Sequence, residues 1–197
     1  MLGLLTTLSA QKEHQTLFSK ARVVGGFGGP ILEFGLTDGE YSGTYTGGGG
    51  GVIVDNFFLG GYGMGGTDLV EQLIDGIEDI ELGLGHGGLW LGYTPLSMKV
   101  AHPFVSCRLG WGAVDITYNE DQDDFDYTDA VFVVTPEAGI ELNVFRWFRI
   151  AGTVGYRFVE GISDKSRIGK NSLDGMTAGL TFRFGSFGRW WSNRWDD

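Results

Sequence analysis

Glu137 and Glu141 stand four residues apart in "TPEAGIELNVF", with apolar Ala138, Ile140 and Leu142 around them. Carboxylates at that spacing on one strand face can pair with arginines. Other residues suggest other chemistry. "GYGMGG" (61–66) and "GLGHGG" (83–88) both spell G-x-G-x-x-G. A dinucleotide site needs a helix after that turn and an acidic residue farther on, whereas "GLGHGG" runs into the strand-like "LWLGY". The run "NEDQDDFDYTD" (119–129) offers Asp121, Asp123, Asp124 and Asp126 as oxygen ligands for a hard cation, shared with lipopolysaccharide phosphates. It lacks the glycine and terminal glutamate of an EF-hand loop, and a solvated outer loop is the reading that charge runs favour. His14, His86 and His102 have no H-E-x-x-H spacing. His102, beside Pro103 near a turn, reads as structural or exposed. There is no G-x-S-x-G elbow. These patterns imply no cofactor and no catalytic residues.

What the two glutamates do depends on the element that carries them. Alternate residues of a strand share a face, so Glu137 and Glu141 look one way and Ala138, Ile140 and Leu142 the other. The same alternation recurs at 31–38, 41–54, 57–66, 80–93, 100–118, 130–144, 148–159 and 173–184. Short connections ("VDNF", "TPLSMK", "VFRWFR") alternate with longer, charged ones ("YNEDQDDFDYTD", "EGISDKSRIGKNS"), and Asp38-Gly39 is a type I′ hairpin signal. Leu69, Val70, Leu73, Ile74 and Ile77 fall at helical spacing behind Thr67, so a helical turn is expected within 67–79. Short turns on one side and long polar loops on the other suit a transmembrane barrel of even strand number.

Composition points the same way. Glycine supplies 35 of 197 residues, more than double the usual share of roughly 7%. It is mixed with 14 Phe, 7 Tyr and 6 Trp, which suits a curved sheet. A net charge of −11 excludes a phosphate-neutralising surface, so no nucleic-acid partner is expected. The single cysteine, Cys107, excludes an internal disulfide and reads as a small apolar strand residue.

One face of each later strand is apolar: Cys107, Leu109 and Trp111; Ala138, Ile140 and Leu142; Val154, Tyr156 and Phe158; Leu180, Phe182 and Phe184. The other carries glycine, hydroxyl or charge. Glu33, Arg108, Glu137, Glu141, Arg157 and Arg183 fall there, three arginines against three glutamates. A soluble lipid-carrying barrel would show the reverse. The apolar face therefore meets lipid, and the charges form a network in a narrow lumen, with Arg157 expected to match both Glu137 and Glu141. Aromatic clusters at 57–58, 145–148 and 190–195 suit interfacial girdles.

Four blocks, "GGFGGPILEF" (25–34), "GLGHGGLWLGY" (83–93), "PEAGIELNVFRWFRI" (136–150) and "VGYRFVEG" (154–161), resemble an uncharacterised family of small outer-membrane β-barrel proteins of Bacteroidota-type bacteria. The resemblance implies an outer-membrane location and eight strands, and it brings no activity. One departure is that "GSFGRWWSNRWDD" continues past Phe184, where such barrels commonly end.

The expectation is thus an all-β, eight-stranded antiparallel up-and-down transmembrane barrel over 30–185. Residues 1–10 read as a secretory signal remnant, since an apolar run ends in small residues before Gln11. Residues 11–29 would be an N-terminal periplasmic segment and 186–197 an aromatic tail. The role expected is structural or interactive within the envelope of a Gram-negative bacterium, by a monomer whose partners are outer-membrane lipid and lipopolysaccharide or another envelope protein. A narrow channel for water or small ions and an outer-membrane enzyme are the alternatives.

Overall fold

The computed structural model describes residues 22–37, 40–70, 80–118, 126–161 and 173–188. Among them the elements are β1 (Val23–Thr37), β2 (Glu40–Val54), β3 (Phe57–Val70), β4 (Ile80–Tyr93), β5 (Ala101–Tyr118), β6 (Asp126–Phe145), β7 (Phe148–Glu160) and β8 (Gly175–Phe187). Each pairs antiparallel with the next, and β8 closes on β1 through Leu32↔Leu180 and Phe34↔Ala178. The result is an eight-stranded up-and-down barrel without a free edge. No described helix is long and apolar enough to cross a membrane, which says nothing of crossing by strands.

Period-2 patterning decides which medium each face meets. Trp111, Ile140 and Val154 are 62%, 60% and 63% exposed on the outside, whereas Glu33, Glu141 and Arg183 are 1%, 0% and 1% exposed within. Apolar residues outside and charges inside are the arrangement of a barrel in hydrocarbon. The outward and inward residues named above all lie on the faces assigned to them.

Four boundaries differ from expectation, each for a physical reason. β1 begins at Val23 rather than near 30. Gly25, Gly26, Gly28 and Gly29 carry no side chain, so alternation cannot be seen there, yet their backbones pair with β2 and the end of β8. The helical turn expected from Thr67 is overridden through Val70, because β3 continues in register with β4 (Thr67↔Gly83, Val70↔Ile80). Over so few apolar residues the two periods are hard to separate, and the ladder hydrogen bonds prevail. β6 starts at Asp126, inside the acidic run, where polar side chains do not prevent pairing with β5 (Asp126↔Thr117, Asp129↔Val114). β8 runs on through Ser186 and Phe187, paired with Gly26 and Gly25. The signal-like residues 1–10, the Asp38-Gly39 turn, residues 71–79 and 119–125, and the tail from 189 lie outside the described residues.

Three short or compact connections lie at one end of the barrel. Asp55 and Asn56 join β2 to β3, Arg146 and Trp147 join β6 to β7, and residues 94–100 join β4 to β5. Asp55 adopts φ 55°, a left-handed value that aspartate tolerates in tight turns. Its N–H donates to Arg22 O at 3.0 Å, which fixes the start of β1 at this end.

Candidate functional site

The lumen is built from inward positions of all eight strands, and its charged residues form two groups. Glu141 on β6 organises the group nearer the short turns. It pairs across the sheet with His102 on β5 and Ala151 on β7, which places Arg149 one inward step away. Arg149 in turn pairs with Arg183 on β8. Glu141 Oε1 accepts from Arg149 Nη1 at 2.8 Å and lies 3.0 Å from His102 Nε2, while Oε2 accepts from Arg183 Nη1. The other His102 nitrogen, Nδ1, is 3.2 Å from Lys99 O, so both neighbours of the ring are acceptors. The Arg183 guanidinium carbon sits 3.6, 4.7 and 5.4 Å from the ring centres of Phe27, Phe58 and Phe104. That of Arg149 lies 4.1 Å from Phe187. Phe27, Phe58 and Trp90 meet edge to face at 5.1–5.5 Å. These cations are held by a carboxylate on one side and ring faces on the other, which makes desolvation tolerable.

Arg108 on β5 organises the second group, farther from the short turns. Its Nη2 donates to Glu33 Oε2 on β1 and lies 3.3 Å from Glu137 Oε2 on β6. β1 and β5 are half a turn apart in the closed order, so this contact ties opposite walls together. Arg108 Nη1 lies 2.6 Å from Met64 Sδ. Glu137 also accepts from Ser106 Oγ, and from Thr153 Oγ1 at 3.3 Å; Trp90 Nε1 donates to Ser106 Oγ at 3.2 Å. Arg157 Nη1 lies 3.6 Å from Glu33 Oε1, its Nε donates to Leu173 O at 3.1 Å, and its guanidinium lies 4.2 Å from the Tyr45 ring centre. Tyr62 and His86 form a hydrogen-bonded pair, hydroxyl to Nδ1, at 3.0 Å. Leu84, Val114, Val131, Val133 and Val159, all buried, fill inward positions toward the long connections.

The six lumen residues named from sequence are all buried, and each makes an ion pair with another of the six. Arg157 pairs with Glu33 on β1. Its neighbour Gly155, not Arg157, is the residue paired with Glu137. The cation for Glu141 comes from Arg183 and Arg149, and that for Glu137 from Arg108. Two members, Arg149 and His102, were not identified from sequence, although extending the inward parity finds both. Arg149 continues the series Thr153, Gly155, Arg157, and His102 continues the one that holds Arg108. The first was obscured by the aromatic turn "VFRWFR" and the second by Pro103.

Chemically, the arrangement sets three carboxylates against four guanidiniums, walled from solvent by rings and aliphatic side chains. Of the acidic residues considered for a cation, Asp121, Asp123 and Asp124 lie outside the described residues, and Asp126 opens β6. Among the described residues no three of His, Cys, Asp and Glu are grouped to hold a metal ion.

No protein-family model matches the chain, and no curated protein does. Solved structures match. Neisserial surface protein A shares 9% identity, with 84% of this chain and 97% of that chain covered, at a TM-score of 0.50. The N-terminal β-barrel domain of Pseudomonas aeruginosa OprF shares 15%, with 84% and 99% covered, also at 0.50. Ail, the attachment invasion locus protein of Yersinia pestis, shares 9%, with 83% and 99% covered, at 0.49. At these identities the likeness is one of fold. By fold the chain stands with the eight-stranded outer-membrane barrels of Gram-negative bacteria.

Proposed function

We propose that this protein is a monomeric outer-membrane barrel with a closed lumen, serving the envelope as a structural or interaction protein and catalysing no reaction. The observation that carries this reading is the filling of the interior. Trp90, Phe104, Arg108, Glu141 and Arg183 are each 1% exposed or less, and they come from different walls. A barrel of eight strands has room for little beyond its own side chains. An interior spent on ion pairs and rings leaves recognition to the loops, the lipid-facing surface and the C-terminal tail. Outer-membrane lipid is one partner in this reading, and lipopolysaccharide or another envelope protein the second. Residues 1–10 act as the export signal. The four sequence blocks that resemble Bacteroidota-type barrels support an origin of that kind.

Two measurements test the proposal. Purified protein in planar bilayers is expected to show no steady single-channel conductance; regular unitary currents would favour the narrow channel instead. Purification in mild detergent, with identification of what accompanies the barrel, is expected to return an envelope component. Turnover of an envelope substrate by the purified barrel would reverse the non-catalytic reading.

A further inference from the structure

Residues 94–100 leave the wall at β4 and rejoin it at β5, yet they reach across the short-turn mouth. Ser97 O accepts from Asn143 Nδ2 on β6 at 2.9 Å and from Arg149 Nη2 on β7 at 3.3 Å. A Cβ placed on Gly188, just past β8, would lie 3.9 Å from Met98 Sδ. The junction of β8 and β1 is opposite that of β4 and β5 in the closed order, so the segment spans the opening. Its inner side is held by polar bonds. Lys99 O accepts from Asn143 Nδ2 at 2.6 Å and lies 3.2 Å from His102 Nδ1.

The other side of the segment is apolar and bare. Met98 is 79% exposed, Val100 75% and Leu96 56%. Leu96 is also held at φ 58°, a backbone region that a bulky side chain rarely adopts. Lys99 beside them is exposed. A segment that crosses the mouth is held away from the surrounding hydrocarbon, so lipid does not account for this patch as it does for Ile140 or Val154.

We propose that the patch is the docking surface for the chain's own C-terminal segment, residues 189–197, with Trp190 and Trp191 on Leu96 and Met98. Three features select that occupant. β8 delivers the chain to the patch, since Gly188 already lies beside Met98. At 3.3–3.6 Å per residue, Trp191 can stand up to roughly 10 Å beyond Gly188, which is within reach of the whole segment. The chemistry also matches: indole rings pack on a thioether and aliphatic groups. Burial of these tryptophans in the bilayer interface and seating on a second copy are the competing fates.

Cysteine cross-linking in the full chain tests this. Met98→Cys and Trp191→Cys are combined with Cys107→Ser, a replacement on the lipid-facing wall, and the folded protein is mildly oxidised. An intrachain disulfide in most molecules is expected. In parallel, peroxide oxidation of Met98 is followed by peptide mass spectrometry in the native chain and in one ending at Gly188. Met98 should oxidise several-fold faster in the shortened chain, with Met176 on the lipid side of β8 unchanged as the internal reference. Equal Met98 rates without an intrachain disulfide would overturn the proposal in favour of the bilayer interface. Disulfides formed between chains would overturn it in favour of a second copy. Should the shortened chain fail to fold, the full-chain cross-link decides by itself.

Discussion

Glu141 accepts from two arginines and faces one histidine, and all of them are sealed from solvent. Removing one partner of such a group leaves a buried charge short of compensation, which typically costs about 3–5 kcal/mol, whereas removing both halves of a pair is far milder. Arg183→Leu should therefore lower the unfolding midpoint in urea clearly more than Lys99→Leu in the exposed turn. Glu141→Leu with Arg183→Leu should recover part of that loss. Equal effects at positions 183 and 99 would mean that the lumen is wet enough to screen the pair. The residue types of this network were legible in the sequence, but its wiring was not. Parity fixes which face a side chain occupies. It does not reveal that a long arginine such as Arg108 crosses the barrel to Glu33, because strand order and stagger set that distance. Matching Arg157 with Glu137 and Glu141 rests on proximity along neighbouring strands, whereas Arg157 also reaches Glu33 on β1, two strands away.

Each strand shows the same division between what a sequence displays and what a ladder decides. Where large side chains alternate, as in β5 to β8, faces and approximate limits could be read directly. In β1 to β4 glycine replaces much of the pattern, and the strand start at Val23 and the extension of β3 to Val70 became visible only through pairing. The glycines are not equivalent, and that gives a test. A side chain on inward Gly92 would run into the Phe58 ring, which also flanks the Arg183 guanidinium; one on outward Gly63 meets nothing within 4 Å. Gly92→Leu is expected to destabilise by about 1–3 kcal/mol through overpacking. Gly63→Leu should stay within about 0.5 kcal/mol of the parent, as isolated surface changes usually do. Urea titration in detergent micelles reads both. A larger loss at 63 than at 92 would mean that the two faces of β3 and β4 have been assigned the wrong way round.

The whole molecule has a direction that follows from its connections. An even number of strands puts both ends of the barrel chain on one side, and here that side also carries three short or compact turns: Arg22 O receives the Asp55 N–H, and Gly188 lies beside Met98. The opposite side carries the two-residue link 38–39 and the connections 71–79, 119–125 and 161–174, among which is the acidic run. Transmembrane barrels of this class keep short turns in the periplasm and longer loops outside. The acidic run would then face the cell exterior, where divalent cations and lipopolysaccharide phosphates are found. The segment 94–100 would close the periplasmic mouth, and the ion pairs of Glu141 would lie just beneath it. An epitope inserted after Asp124 should accordingly be labelled by antibody on intact cells. The same epitope after Leu96 should be labelled only once the outer membrane is permeabilised. Heat-shifted gel mobility in both fusions would show that each barrel has folded before its labelling is interpreted. If the epitope at Leu96 is reached on intact cells and that at Asp124 is not, the barrel is inverted. The apolar segment, with whatever covers it, would then be a surface feature of the cell and not a periplasmic one.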